Sequence, residues 1–163
     1  MMTGSCLCGR VRFHITKAVG PFEVCHCNRC RKFSGSYGIA ALGVLEPDYT
    51  LIRGAEHIVT YEAPLLYDGP PYQTYFCRRC GCPTPPPKAS DFFEIPAGLL
   101  DDDPGITPDK HIFVEFTPEW DEISDTLPQY TIRALYELRH GRSLPDDFEV
   151  RRHISPTDGS EER

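Results

Sequence analysis

Short alternations of hydrophobic and polar residues run through the first 130 residues and predict β-strands. In CGRVRFHITK, Val11, Phe13 and Ile15 alternate with polar residues, which is the pattern of a half-buried strand. YGIAALGVLEP is mostly apolar and predicts a buried strand that ends at Pro47. Further short strands are predicted in TLIRG, HIVTYE, QTYFC, DFFEIPAGLL and HIFVEFTPEW. Turn-forming residues separate these segments, so the pattern predicts a mainly β domain.

The pattern changes after Tyr130. In TIRALYELRHG the apolar residues are spaced for one short helix that ends at Gly141. A helix of this length needs tertiary contacts to be stable. We therefore expect three parts: a β domain over residues 1–130, a C-terminal helix and extension over 131–152, and a polar, disordered tail over 153–163.

Length and charge narrow the function classes. A chain of 163 residues fits one domain with a real core. Its net charge of −7 disfavours binding to nucleic acid, which depends on clustered Lys and Arg. The sequence has no secretory pattern at its start and no apolar run long enough for a membrane span, so a cytoplasmic protein without a membrane partner is expected.

Eight cysteines give the strongest chemical signal because they fall into three clusters. Without a secretory signal, metal binding is favoured over a framework of disulfides. The clusters are Cys6 and Cys8; Cys25, Cys27 and Cys30; and Cys77, Cys80 and Cys82.

Two of the clusters together supply a complete structural zinc site. Structural zinc takes four tetrahedral ligands, and a closely spaced cysteine pair provides two of them from one turn. Cys77 and Cys80 form such a pair in FCRRCGC, and Cys6 and Cys8 are the natural source of the other two. The ion would join distant parts of the chain and reduce the entropy of the unfolded state.

The middle cluster has three cysteines and is open to three interpretations. Three thiolates leave one position free, as catalytic zinc sites do. His26 or Cys82 could instead complete a second structural site. A thioredoxin-type pair of Cys27 and Cys30 is the weakest alternative, since no βαβ pattern surrounds it.

Three ordered motifs resemble those of the glutathione-dependent formaldehyde-activating enzyme family, also called the centromere protein V or GFA domain family. They are GSCLCGRVRF, CHCNRCRKFSGS and FCRRCGCP, and EISDTLPQY resembles the closing segment of the family. The resemblance covers about Gly4 to Tyr130.

This resemblance implies a β-tent-like fold of small antiparallel sheets stapled by zinc, to which this chain adds a short C-terminal helix. It implies two zinc ions per chain. Cys6, Cys8, Cys77 and Cys80 would hold the structural ion, and Cys25, Cys27 and Cys30 the reactive one. The implied activity is condensation of glutathione with formaldehyde, classed as a carbon–sulfur lyase reaction.

A thiol such as glutathione is therefore the expected small-molecule partner. Because glutathione is anionic, Arg29, Arg31 and Lys32 are candidates to hold its carboxylates, and Ser36 lies in a loop that could offer backbone N–H groups. A solvated turn is the alternative for these residues. The alternative function is a zinc-stapled module that binds a protein partner without catalysis.

Two features depart from the family pattern. CPTPPPKASD adds Cys82 and a proline run after the last cysteine pair, which changes the neighbouring pocket. The extension after Tyr130 exceeds the family core; it is expected to cover the core, with a homodimer contact as the alternative.

Overall fold

Ten short strands and two short helices make up the part of the chain that the structure describes, residues 1–67 and 72–151 of a computed structural model. The strands are β1 (Met2–Ser5), β2 (Arg12–Ile15), β3 (Val19–Cys25), β4 (Ile39–Leu45), β5 (Tyr49–Arg53), β6 (Ile58–Ala63), β7 (Tyr72–Cys77), β8 (Phe92–Pro96), β9 (Lys110–Ile112) and β10 (Gln129–Tyr130). The helices are α1 (Asn28–Ser34) and α2 (Ile132–His140). The prediction of a mainly β fold with a C-terminal helix is confirmed.

The strands form three small sheets. β1, β2 and β5 make an antiparallel sheet, and β6 and β7 make an antiparallel ribbon. The largest sheet has the order β10-β9-β3-β4-β8. Its β3–β4 and β4–β8 pairs are antiparallel, whereas β9 runs parallel to both β3 and β10.

The main core lies between the three-stranded and the five-stranded sheets. Phe13 and Ile15 from β2 pack against side chains from one face of β3, β4 and β8, as their alternation predicted. These buried partners are Phe22, Leu42, Val44, Phe93 and Ile95. The opposite face of β3, β4 and β8 is left to line a cavity, described below.

Strand β3 and helix α1, which hold the middle cysteine cluster, were not predicted from the sequence. The short strands β1 and β10 were not predicted either. The helix is only seven residues long, and its apolar pattern is too short to be recognised. Gly35 ends it in the left-handed conformation at φ 66°.

The strand predicted in HIFVEFTPEW is shorter than expected. β9 ends at Ile112 because Phe113 takes a left-handed conformation at φ 58°, and residues Val114–Phe116 form one turn of 3-10 helix. The turn places buried Phe116 against Cys27 and Cys30 in a second hydrophobic cluster.

Helix α2 has the length and the end that its sequence predicts. The Thr131 side chain accepts a hydrogen bond from the Ala134 N–H, and Gly141 ends the helix at φ 65°. Ile132 and Leu144 join the cluster that contains Phe116. The predicted disordered tail, residues 153–163, lies outside the described residues. Within the described residues no helix has the length and apolarity needed to span a bilayer.

Candidate metal centres

Four cysteines meet between the start of β2 and the end of β7. The Sγ atoms of Cys6, Cys8, Cys77 and Cys80 all lie within 4.8 Å of one another, with Cys6 and Cys8 separated by 3.6 Å and Cys8 and Cys77 by 3.8 Å. A tetrahedron of thiolates around zinc, with bonds of ~2.3 Å, has edges of about 3.8 Å. The donor set and its spacing therefore fit a structural zinc ion.

Two glycine turns give these cysteines their positions. Gly9 and Gly81 both have positive φ, and their N–H groups donate to the carbonyl oxygens of Cys6 and Cys77. The Val11 N–H also donates to the Cys6 Sγ at 3.4 Å. Each cysteine pair thus lies in a turn that a glycine closes.

Backbone hydrogen bonds favour the thiolate form of one cysteine of this group, Cys80. Burial opposes ionisation of Cys80, but the N–H groups of Cys82 and Cys8 lower its pKa to about 6. Cys80 is therefore largely thiolate near neutral pH, which is the form that binds zinc.

The second group forms where strand β3 ends and helix α1 begins. Cys25 is the last residue of β3, Cys27 is the N-cap of α1 and Cys30 lies in its first turn. Their three Sγ atoms lie within 4.8 Å of one another. The Cys30 N–H donates to the Cys27 Sγ at 3.5 Å, so the capping bond of the helix also orients a ligand.

The structure favours one of the three interpretations of this cluster. Among the described residues, no fourth Cys, His, Asp or Glu belongs to the group. His26 Nε2 is bonded to His111 Nδ1 at 2.8 Å, and Cys82 packs beside Cys6 and Cys77. Neither residue completes a second closed site, so the three thiols fit an open one.

The local charges favour a thiolate at Cys27. Contacts from the thiols of Cys25 and then Cys30, helped by the Arg29 guanidinium, lower the pKa of Cys27 well below its usual range. The Arg29 guanidinium lies 3.8 Å from the centre of the Tyr72 ring, which holds it beside the cysteines.

Hydrogen bonds that link two buried histidines to the half-exposed Asp125 support the turn that contains Cys25 and Cys27. The His26 side chain is bonded to His111, whose Nε2 is bonded in turn to Asp125 Oδ2 at 2.9 Å. Burial, followed by the charge of His111, lowers the pKa of His26. The backbone N–H of His26 donates to the Ile112 carbonyl oxygen, which connects the turn to the end of β9.

All three cysteines of the second group line one cavity of about 490 Å³. One wall is the face of β3, β4 and β8 that points away from the main core. The opposite wall is formed by β7 and by residues 84–90, which include the proline run. Arg29, Tyr72 and Phe33 surround the cysteine end, while Glu23, Glu94 and Arg139 line the cavity elsewhere. The volume is in the range of small-molecule sites.

Of the predicted substrate residues, Arg29 lines this cavity, whereas Arg31, Lys32 and Ser36 do not. The Arg31 Nη1 donates to the Phe116 carbonyl at 2.7 Å, and Lys32 and Ser36 are exposed. Their role with a thiol stays a prediction. Sequence reasoning missed Tyr72, Glu23 and Arg139; only Glu23 gives a signal, as a charged residue inside the apolar stretch PFEVC.

Comparison with known proteins identifies one family model and several similar proteins. Residues 1–116 match the family model described as glutathione-dependent formaldehyde-activating enzyme. A Halomonas elongata protein named "Putative glutathione-dependent formaldehyde-activating enzyme" is 32% identical over 127 residues, which are 76% of this chain and 81% of that protein. The crystal structure of a Rhodobacter sphaeroides protein, a structural genomics target, matches with a TM-score of 0.46 and 24% identity over 66% of this chain and 92% of that one.

The matched residues include both cysteine groups that could hold metal. The family model spans well over half of the chain, and the curated relative is similar over most of its own length. The chain therefore belongs to the glutathione-dependent formaldehyde-activating enzyme family.

Proposed function

We propose that this protein is a zinc-dependent enzyme of the carbon–sulfur lyase type that acts on a glutathione-like thiol and a small aldehyde, or on their adduct. The observation that supports this most directly is an incomplete three-thiol group in the wall of a cavity. The family and the name of the curated relative support glutathione and formaldehyde as the substrates. The reaction joins the thiol sulfur to the aldehyde carbon, and the thiol proton ends on the carbonyl oxygen.

Zinc is the expected metal at both groups, with Cys6, Cys8, Cys77 and Cys80 as structural ligands and Cys25, Cys27 and Cys30 as ligands of the reactive ion. Bound by three thiolates, zinc would stabilise a substrate thiol in its nucleophilic thiolate form. A closed four-ligand group has no place for substrate, which is why we assign the chemistry to the second group.

The residues of the chain position the substrate and exclude water. Tyr72 and Phe33 form apolar walls beside the cysteines, so the sulfur of the substrate thiol loses part of its hydration as it enters the cavity. Arg29 is held over Tyr72 and supplies a positive charge next to the thiolates. Burial raises the pKa of Tyr72, and its phenol stays protonated near neutral pH.

Formation of S-hydroxymethylglutathione tests this proposal. The protein is mixed with glutathione and formaldehyde, and the exchange between free and adduct forms is followed by NMR. We expect exchange faster than the uncatalysed rate with the wild type, and a return to that rate with Cys27→Ser. Cys82→Ser is the matched control, because Cys82 is a part-buried cysteine outside both groups.

Exchange that is no faster with wild-type protein would contradict the substrate assignment. If the wild-type protein also contained only one zinc ion per chain, the alternative function, a zinc-stapled module that binds a protein partner, would be favoured.

A further inference from the structure

Charged side chains from three elements meet in the cavity beside the cysteine group. Glu23 lies on β3, two residues before Cys25, so both side chains point to the same face of the sheet, about 6–7 Å apart along the strand. Glu94 comes from β8 and Arg139 from α2. All of them line the cavity.

Glu23 is a buried carboxylate that forms an ion pair with the partly exposed Arg139. The Glu23 side chain is only 4% exposed; its Oε2 accepts a hydrogen bond from the Arg139 Nη2 at 2.6 Å, and its Oε1 lies 3.4 Å from the Lys110 Nζ. A guanidinium has five N–H donors, and the Arg139 side chain is 43% exposed. Arg139 therefore keeps donors for a second carboxylate.

Glu94 adds a negative charge to the same end of the cavity. No ion pair joins it to another described residue. Partial desolvation against the cavity walls, followed by the charge of Glu23, raises the pKa of Glu94, whose side chain is exposed, while Arg139 and Lys110 act in the opposite direction. Glu94 thus lies near the Glu23–Arg139 pair without an ion pair of its own, so a cationic group of a ligand would be stabilised beside it.

The sheet register places these charges in order along the cavity floor. Glu23 lies opposite Ala41, and Ala41 lies opposite Pro96. Glu94 comes two residues before Pro96, so it is farther from Cys25 than Glu23 is. The small side chain of Ala41 leaves room between the two carboxylates.

We propose that this end of the cavity binds the α-amino acid head group of the substrate thiol, with Glu94 receiving the ammonium and Arg139 the carboxylate, while buried Glu23 positions the Arg139 guanidinium. This inference rests on the proposed function and assigns the residues that hold the head group of a γ-glutamyl thiol. In such a thiol an amide and a short methylene chain separate the sulfur from the head group. Arg139 lies beyond the residues that match the family, so the C-terminal extension of this chain supplies part of the site.

Calorimetry with two ligands that have no free thiol tests the head-group site independently of catalysis. The first is S-methylglutathione, and the second is its N-glutaryl analogue, which lacks only the ammonium. We expect the wild type to bind the first about tenfold more tightly, since an ion-paired hydrogen bond is worth about that factor. Glu94→Gln should remove most of this preference, and Arg139→Gln should weaken the binding of both ligands about tenfold.

Arg142→Gln, at an exposed position two residues after the end of the same helix, is the control and should bind like the wild type. Arg139→Gln removes one ion-pair partner from buried Glu23, so circular dichroism is needed to show that this variant folds. If it does not fold, the binding preference of Glu94→Gln alone tests the inference. Equal binding of both ligands by the wild type, or an unchanged preference in Glu94→Gln, would overturn the inference. If the wild type prefers S-methylglutathione over the N-glutaryl analogue but does not accelerate the exchange reaction, the head-group site is supported and the proposed function is contradicted.

Discussion

His26, His111 and Asp125 connect the turn between β3 and α1 to the loop that leads to β10. His26 is 1% exposed and His111 is 5% exposed, so each imidazole depends on the other for a hydrogen bond. Burial of unpaired polar groups is costly, which makes these residues sensitive positions beside the second cysteine group.

Replacing His111 with Ala should lower the free energy of unfolding by about 2 kcal/mol or more, because His26 loses its buried partner. Urea unfolding followed by circular dichroism measures this change. His140→Ala, at an exposed position on α2, should change stability by less than about 0.5 kcal/mol. Equal effects of the two substitutions would show that the buried pair does not stabilise the fold.

Gly38 controls the approach of β4 to the same turn. A Cβ atom added there would lie 2.6 Å from the Cys25 carbonyl oxygen, so Gly38→Ala must displace the backbone of a metal ligand. We expect this variant to retain less zinc at the second group after dialysis against a weak chelator. Gly98→Ala is the control because its Cβ would meet nothing within 4 Å; identical zinc retention in both variants would contradict this prediction.

At the level of elements, the C-terminal extension is docked onto the second metal group through α2 and the segment that follows. Leu144 packs in the cluster that contains Cys27, Cys30 and Phe116. The Arg133 guanidinium donates to the carbonyl oxygens of four residues of that segment, which are Leu144, Pro145, Asp146 and Phe148. One side chain therefore fixes the path of the chain after the helix.

Arg133→Ala should release this segment while the rest of the protein stays folded. Hydrogen exchange measured by mass spectrometry should become about tenfold faster in peptides covering residues 144–150, as expected for loss of charge-assisted hydrogen bonds. Exchange in β3 and β4 should not change, and Arg142→Ala should leave the segment protected. Unchanged exchange in Arg133→Ala would contradict the role given to this residue.

For the whole molecule, the sequence predicted the parts whose signal is local. The alternation of Phe13 and Ile15 and the helix end at Gly141 each depend on neighbouring residues, and each is found as predicted. The parallel pairing of β3 with β9 joins residues more than eighty positions apart and has no local signal. The charged end of the cavity depends on this pairing and on α2, so sequence reasoning could not place Glu23 near Arg139.

The two cysteine groups should differ in their effect on folding. The four-cysteine group joins the start of β2 to the end of β7, so its loss opens a long loop, whereas the three-cysteine group lies within one local turn. We expect Cys80→Ser to lower the thermal midpoint far more than Cys27→Ser does, and Cys82→Ser to lower it least. Differential scanning calorimetry measures all three. A larger decrease of the thermal midpoint in Cys27→Ser than in Cys80→Ser would contradict the assignment of the four-cysteine group as the structural site.

The central claim is that two separate groups of cysteines bind zinc and that only one of them is closed. Zinc content per chain, measured by inductively coupled plasma mass spectrometry on protein purified without chelator, tests it most directly. The account predicts two ions in the wild type and in Cys82→Ser, and one ion in Cys27→Ser. One ion in the wild type, and the same single ion in Cys27→Ser, would contradict it.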